Sequence, residues 1–170
     1  VKELGALVSE EELLKGLSKD PLTQNHVHFY LVLGDEFNKH KEDEHFSSRW
    51  TTDTDVADLV HDALKNLYAS LSDDELFSEN EIIAKFLEHL KGLSDEYRNE
   101  EIARRWLGLS KTIGKNPLGE WGKTESSNVK TRGIKDYAFL IMRKHGSPMH
   151  FRDVAKSICD TFGKKTHVAT

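Results

Sequence analysis

The apolar pattern of residues 56–71 constrains the fold of this chain more than any other feature. It forms one continuous stripe at helical spacing, made of Val56, Leu59, Val60, Ala63, Leu64, Leu67 and Leu71. Asp53 and Thr54 precede the stripe as candidate N-caps. Because a helix with one apolar stripe buries that stripe against other elements, the sequence predicts a central helix packed inside a helical core.

Helix signals also occur on both sides of the central stripe. Capping boxes at Ser9 and Ser78, and a candidate cap at Ser94, predict helices over residues 10–17, 79–90 and 95–110. Pro21 suits the first turn of a helix over 22–33. Near the C-terminus, two more stripes predict helices over 132–144 and 151–162, with a candidate cap at Thr131 and a turn beginning at Gly146.

Spaced aromatic residues mark a different kind of segment between residues 36 and 51. Phe37, Phe46 and Trp50 flank a polar centre, which predicts a β-hairpin with strands at 36–40 and 44–51. No Asn-Gly or Asp-Gly turn is present, so an irregular surface loop explains the segment equally well. Two helices followed by a hairpin match the second half of a winged-helix domain.

These signals predict a mainly α protein in three parts. Residues 1–52 form a winged-helix-like part with a β-hairpin, residues 53–115 a central helical bundle, and residues 116–170 a loop followed by the start of a helix-turn-helix. The chain has 170 residues, enough for one domain or two small ones.

The loop at residues 116–122 includes Trp121 between two glycines, and we expect its indole to dock in the core rather than bind a ligand. All three tryptophans, Trp50, Trp106 and Trp121, are predicted to be largely buried.

Composition and motifs exclude several classes of function. No apolar run reaches about 18 residues, so we expect no membrane partner. The first residues lack signal-peptide features and Cys159 is the single cysteine, which together favour a cytoplasmic location. We expect Cys159 to be buried or half-buried rather than nucleophilic. Phosphate-binding loops, hydrolase elbows and metalloprotease motifs are missing from the sequence, so we predict no enzymatic activity, no cofactor and no small-molecule substrate. A weak divalent site at His40 and His45 is less favoured than a solvated acidic turn.

Charge separates the two ends of the chain. Residues 1–70 carry a net charge of −7, residues 71–115 a net charge of −3, and residues 116–170 a net charge of +5. Such asymmetry arises by chance or marks a basic end that binds a polyanion. The candidate nucleic-acid-binding residues are Lys130, Arg132, Lys135, Arg152, Lys164 and Lys165. The first three lie near a predicted helix N-terminus, where free amides would add positive field. Whether Lys164 and Lys165 share a face with them depends on the fold.

Three segments of the basic end resemble a known family. NPLGEWG (116–122), GIKDYAFLIMRKHGSPMHFRDVAKSI (133–158) and KKTHVAT (164–170) are similar to the start of a HARE-type helix-turn-helix domain, the winged-helix module also found in the bacterial RNA polymerase delta subunit. The likeness is strongest to bacterial proteins that pair this module with a sigma-factor-like region, and residues 35–51 are similar to a region upstream in those proteins. The family continues with a recognition helix and a wing, so the resemblance implies that this sequence is a fragment of a longer protein.

Two functions follow as expectations. The resemblance and the basic end together predict a transcription-associated module that binds double-stranded DNA and belongs to a sigma/delta-like, RNA polymerase-linked protein. The alternative is an interaction module whose acidic N-terminal part docks on RNA polymerase or another basic partner without binding DNA. DNA affinity that falls steeply with salt would favour the first function.

Overall fold

A computed structural model describes residues 1–166 of the chain. Within this range the structure has seven α-helices: α1 (Glu10–Leu17), α2 (Pro21–Leu33), α3 (Thr54–Ser70), α4 (Glu79–His89), α5 (Glu100–Leu107), α6 (Ile134–His145) and α7 (Phe151–Phe162). The five strands are β1 (Leu7–Ser9), β2 (Asn38–His40), β3 (Arg49–Thr51), β4 (Ile113–Lys115) and β5 (Trp121–Lys123). Short 3₁₀ turns cover Lys2–Leu4 and Asp95–Tyr97. The last four residues of the KKTHVAT segment, 167–170, lie outside the described residues.

The prediction of a mainly α fold is wrong, because the chain is mixed α/β. Its strands form two antiparallel sheets, one with the order β1-β3-β2 and the other pairing β4 with β5. The predicted hairpin at 36–51 is present as β2 and β3, although each strand is only three residues long. β1, β4 and β5 were not predicted. Three residues are too few to display the alternation of apolar and polar side chains by which a strand is recognised.

The three-stranded sheet builds a small N-terminal core. β3 is central, with Val8 of β1 and Lys39 of β2 both opposite Trp50. Trp50 packs with Val8, Leu13 and Leu31 in one buried cluster. The sheet therefore fixes α1 and α2 to one another through their inner faces.

A larger core forms around α3, as the stripe at 56–71 predicted. Val60, Leu64 and Leu67 of α3 are fully buried in a cluster that also takes in α4 and α5. Ala6 and Leu7 join this cluster from the N-terminal end of the chain, and Trp121 joins it from β5. The helix predicted over 95–110 is in fact a 3₁₀ turn followed by α5. Ser94 makes no side-chain cap to the backbone, whereas Asn99 Oδ1 accepts from the Ile102 amide over 2.9 Å and starts α5.

The prediction that all three tryptophans are buried is confirmed. Trp50, Trp106 and Trp121 are 2%, 0% and 7% exposed. Trp106 Nε1 donates to the carbonyl oxygen of Leu7 over 3.2 Å, which ties β1 to α5. Trp121 pairs with Phe77 through both backbone hydrogen bonds, at 2.8 and 2.9 Å. Each tryptophan thus joins elements that are distant in sequence.

Candidate nucleic-acid interface

Helices α6 and α7 form the helical hairpin that carries the candidate binding residues. α6 ends at Gly146, whose φ of 72° is left-handed, and α7 ends at Gly163 with φ of 65°. Between them, His150 precedes α7 and its ring nitrogen Nδ1 accepts from the Arg152 amide. Glycine adopts these left-handed angles without the steric cost that a side chain would add, so Gly146 and Gly163 determine where the two helices end.

The hairpin has a small core of its own. Leu140 and Ile141 of α6 and Ile158 of α7 are buried, and none of them belongs to the two larger buried clusters of residues 1–166. The ring of Tyr137, in the first turn of α6, lies 4.9 Å from the ring of Phe162 at the end of α7. The helices therefore run antiparallel, and the end of α7 meets the start of α6. We call residues 130–166 the basic hairpin.

The antiparallel arrangement brings Lys164 to the start of α6. Its Nζ atom lies 5.1 Å from the centre of the Tyr137 ring. Lys130 and Arg132 precede α6, and Lys135 lies in its first turn. Four of the six predicted residues thus belong to one end of the basic hairpin.

The remaining two predicted residues lie together elsewhere on the hairpin. Arg152 and Lys165 line one open groove of about 550 Å³ on α7. The same groove is lined by Lys156, which was not among the candidates predicted from sequence, and by Asp160. Lys156 follows Arg152 at a spacing of four residues, which places both on one helix face and could have identified it. Cys159 lines the groove as well and is exposed, so the expectation that it is buried or half-buried is wrong.

An acidic side chain binds two of the amides that lie just before α6. The carboxylate of Asp136 accepts from the amides of Arg132 and Gly133 over 2.7 and 2.9 Å. These hydrogen bonds lower the pKa of Asp136, Arg132 first and Gly133 second. Asp136 therefore offsets part of the positive field that the start of α6 adds to the nearby cationic side chains.

The cations of the basic hairpin are set apart by their lack of ionic partners. Residues 130–166 contain nine lysines and arginines against three aspartates. Within residues 1–166, only Arg143 of these nine forms a salt bridge, with Glu120. By contrast, ten of the fifteen cations in residues 1–129 are paired: Lys15, Lys39, Arg49, Lys65, Arg98, Arg104, Arg105, Lys111, Lys115 and Lys123. The basic hairpin therefore presents a positive charge that acidic side chains do not neutralise.

The exception, Arg143, connects the hairpin to the loop at residues 116–122. Its partner Glu120 also accepts from Asn116 Nδ2 over 2.9 Å. Asn116 in turn donates to the carbonyl oxygen of Asn128 over 3.0 Å, and its own side-chain oxygen accepts from the Leu118 and Glu120 amides. This network holds the loop in shape and anchors α6 beside it, which gives the loop a structural explanation without a ligand.

A second polar cluster, which the sequence did not predict, lies between the N-terminal sheet and α3. Arg49 Nε donates to His61 Nε2 over 2.7 Å, and both side chains are buried. Burial first, and the charge of Arg49 second, lower the pKa of His61 to about 4. Asp43 pairs with Arg49 over 3.3 Å at the solvent side. Within the described residues no group of three histidine, cysteine or acidic side chains is arranged to hold a metal ion.

The chain was compared with protein-family models, curated proteins and solved structures. None of the three comparisons finds a match. Among residues 1–166, no helix has both the length and the apolar character needed to cross a bilayer.

Proposed function

We propose that this chain is a transcription-associated DNA-binding module whose basic hairpin contacts the phosphates of double-stranded DNA. The observation that carries the proposal is the set of eight hairpin cations without a salt bridge inside the described chain. Cations that have no internal partner remain available to displace counterions from DNA, and this displacement drives phosphate binding. The connection to transcription and to sigma/delta-like proteins rests on the resemblance to the HARE-type domain, and the cytoplasmic location rests on the single cysteine and the absence of signal-peptide features at the first residues.

The geometry favours contacts to the backbone over contacts to base edges. Lys130, Arg132, Lys135 and Lys164 gather at one end of the hairpin, and Arg152 and Lys165 line the groove on α7. The exposed face of α6 carries Phe139 and Met142, which offer no hydrogen bonds to bases. Binding is therefore expected to be weak and nearly independent of DNA sequence.

The test is a titration of a fluorescent DNA duplex with the chain at low salt, followed by anisotropy. A variant with Lys130, Arg132, Lys135, Arg152, Lys164 and Lys165 all changed to Gln is expected to lose binding. The control changes Lys41 and Lys91 to Gln, because these exposed lysines also lack salt bridges within residues 1–166 but lie outside the hairpin. The loss of binding free energy is divided by the number of charges removed, six in the variant and two in the control. If this loss per charge is the same for both, the hairpin is not the interface.

The second candidate function is an interaction module that docks on RNA polymerase or another basic partner without touching DNA. It is favoured by the acidic remainder of the chain, since residues 1–129 have a net charge of −11. A charge of this sign repels DNA and attracts basic proteins. Robust capture of purified RNA polymerase, together with undetectable DNA binding at low salt, would favour this function over the first.

A further inference from the structure

Large apolar side chains that remain exposed are concentrated on two segments of the chain. Five lie on α2, where Leu22, Phe29, Tyr30, Val32 and Leu33 are between 58% and 71% exposed. Four lie on the basic hairpin, where Ile134, Phe139, Met142 and Phe151 are between 37% and 55% exposed. Among the described residues only Leu17 and Leu59 add to this set. Exposed apolar side chains that gather on one surface are typical of sites of protein association.

Helix α2 is apolar on both faces, although only one face packs against the rest of the protein. Leu31 is buried in the N-terminal core and Val27 packs against it. Leu22, His26, Phe29 and Leu33 follow one another at spacings of four, three and four residues, which places them along the opposite, exposed face. We call these four residues the α2 stripe. No lysine, arginine, aspartate or glutamate occurs in α2, so nothing charged interrupts this surface.

The surroundings of the α2 stripe are acidic. Residues 1–41, which include α2 and both of its ends, contain five lysines against seven aspartates and glutamates. Asp20 lies at one end of α2, and Asp35 and Glu36 follow its other end. All three are exposed, and within residues 1–166 none of them forms a salt bridge. The surface thus fits a partner that combines apolar side chains with positive charge.

The basic hairpin of this same chain has the complementary properties. Lys135, Phe139 and Met142 are spaced at four and three residues and share one exposed face of α6. Phe151, the first residue of α7, is also exposed. The hairpin carries nine cations against three aspartates, and eight of the cations have no salt bridge in the described chain.

We propose that the α2 stripe of one copy packs against the exposed face of α6 in a second copy. Pairing two α2 stripes would bring two acidic surfaces together, and pairing two hairpins would bring two basic ones together, so only the mixed pairing is electrostatically favourable. The five large apolar side chains of these two faces, at roughly 100 Å² each, bury roughly 500 Å², which is well below the area of about 1,200 Å² at which stable complexes begin. Association is therefore weak. Since the two surfaces differ, it also continues beyond the dimer.

The first test is sedimentation equilibrium of the chain over a range of concentrations. The average mass is expected to rise above the 19.4 kDa of one chain at roughly 100 μM and higher. The increase should be smaller at high salt, because salt screens the attraction between the acidic and basic surfaces. A mass that stays at one chain throughout overturns the proposal.

Two variants, each lacking one surface, test which faces meet. The first changes Phe29 and Leu33 to Ser, and the second changes Phe139 and Met142 to Ser. Each variant alone is expected to stay monomeric, and an equal mixture should form dimers and stop there, since each copy retains one intact surface. Leu59→Ser is the matched control, because Leu59 is 40% exposed on α3, outside both surfaces, and this variant should associate normally. Association of either double variant by itself overturns the proposal.

A label on Cys159 locates the contact even if a double variant fails to fold. Cys159 is the only cysteine and is exposed on α7 of the basic hairpin. A spin-labelled copy is mixed with an isotope-labelled Cys159→Ser copy, and line broadening is measured by NMR. Broadening is expected at the amides of α2 and not around Leu59. Broadening that spares α2 and appears on the hairpin of the isotope-labelled copy would overturn the proposal.

Discussion

His61 is buried beside Arg49, which donates a hydrogen bond to it, and the burial of this histidine makes stability depend on pH. His61 has its pKa lowered from 6.5 to about 4 by burial and by the charge of Arg49, so the folded protein favours the neutral ring. The unfolded chain therefore takes up the proton first as the pH falls. The contribution of His61 is complete above about pH 6.5 and is lost progressively as the pH falls to 4.

Over that range, the free energy of unfolding is expected to fall by about 1–3 kcal/mol because of His61 alone. Chemical denaturation at several pH values measures this decrease. His61→Gln keeps an acceptor for Arg49 Nε but cannot take up a proton, so its stability should change less over the same interval. If the variant and the original chain are destabilised equally between pH 6.5 and 4, His61 does not control this dependence.

Trp121 gives a second prediction at the residue scale. It is 7% exposed and joins β5 to the core around α3. Trp121→Ala is expected to lower the free energy of unfolding by about 3–5 kcal/mol, measured by denaturant titration. Phe151→Ala is the comparison, since a side chain that is 55% exposed should change stability by no more than about 0.5 kcal/mol. Unchanged stability of Trp121→Ala would contradict its role as an anchor.

At the scale of secondary-structure elements, two serines that precede different elements can be compared, Ser78 before α4 and Ser94 before the 3₁₀ turn at Asp95–Tyr97. Ser78 forms a full capping box with Glu81, whereas Ser94 makes no side-chain cap to the backbone. Ser78→Ala is expected to cost about 1 kcal/mol of stability, and Ser94→Ala close to zero, in the same thermal or denaturant assay. Equal destabilisation by the two substitutions would show that the capping box contributes nothing special.

The helices also differ in how many of their residues are buried in a core. Seven residues of α3 are buried, whereas α6 buries two and α7 one. Local opening is easiest where little apolar surface is buried. Amides of α6 and α7 should therefore exchange with deuterium faster than those of α3, and exchange of both hairpin helices at the rate of α3 would contradict this.

The elements that could be predicted from sequence are the helices, which have an apolar stripe at helical spacing or a capping residue. α1, α2, α3, α4, α6 and α7 occur within two residues of their expected bounds, because capping residues and apolar stripes are local signals. The sheets were largely missed, since β1 pairs with β3 across more than forty residues and no strand in residues 1–166 exceeds three. A three-residue strand is defined by its partner rather than by its own pattern.

The candidate interface was also predicted only in part. The six cations could be named from composition and helix position. Which cations remain unpaired could not, because the pairs that neutralise the others join distant positions, as Lys123 with Asp73 does over 2.8 Å. The Arg49–His61 contact likewise needs the fold, since β3 and α3 must meet before the two side chains can touch.

At the scale of the whole molecule, charge is divided between two regions. Residues 1–129 have a net charge of −11 and residues 130–166 a net charge of +6. If the chain binds DNA as proposed, this division would turn the basic hairpin toward the phosphates and the acidic remainder away from them. It also explains why affinity should be modest, since the acidic region repels the same phosphates.

The most direct test of the proposed function is the salt dependence of DNA binding by the chain and by a Lys164→Gln, Lys165→Gln variant. The logarithm of the association constant is expected to fall linearly with the logarithm of salt concentration. The slope should be smaller for the variant by about one for each phosphate that it no longer neutralises. Affinity should decrease similarly for unrelated duplex sequences, because phosphates carry no sequence information. Undetectable binding at about 50 mM salt, or identical slopes for the chain and the variant, would refute phosphate binding by the basic hairpin.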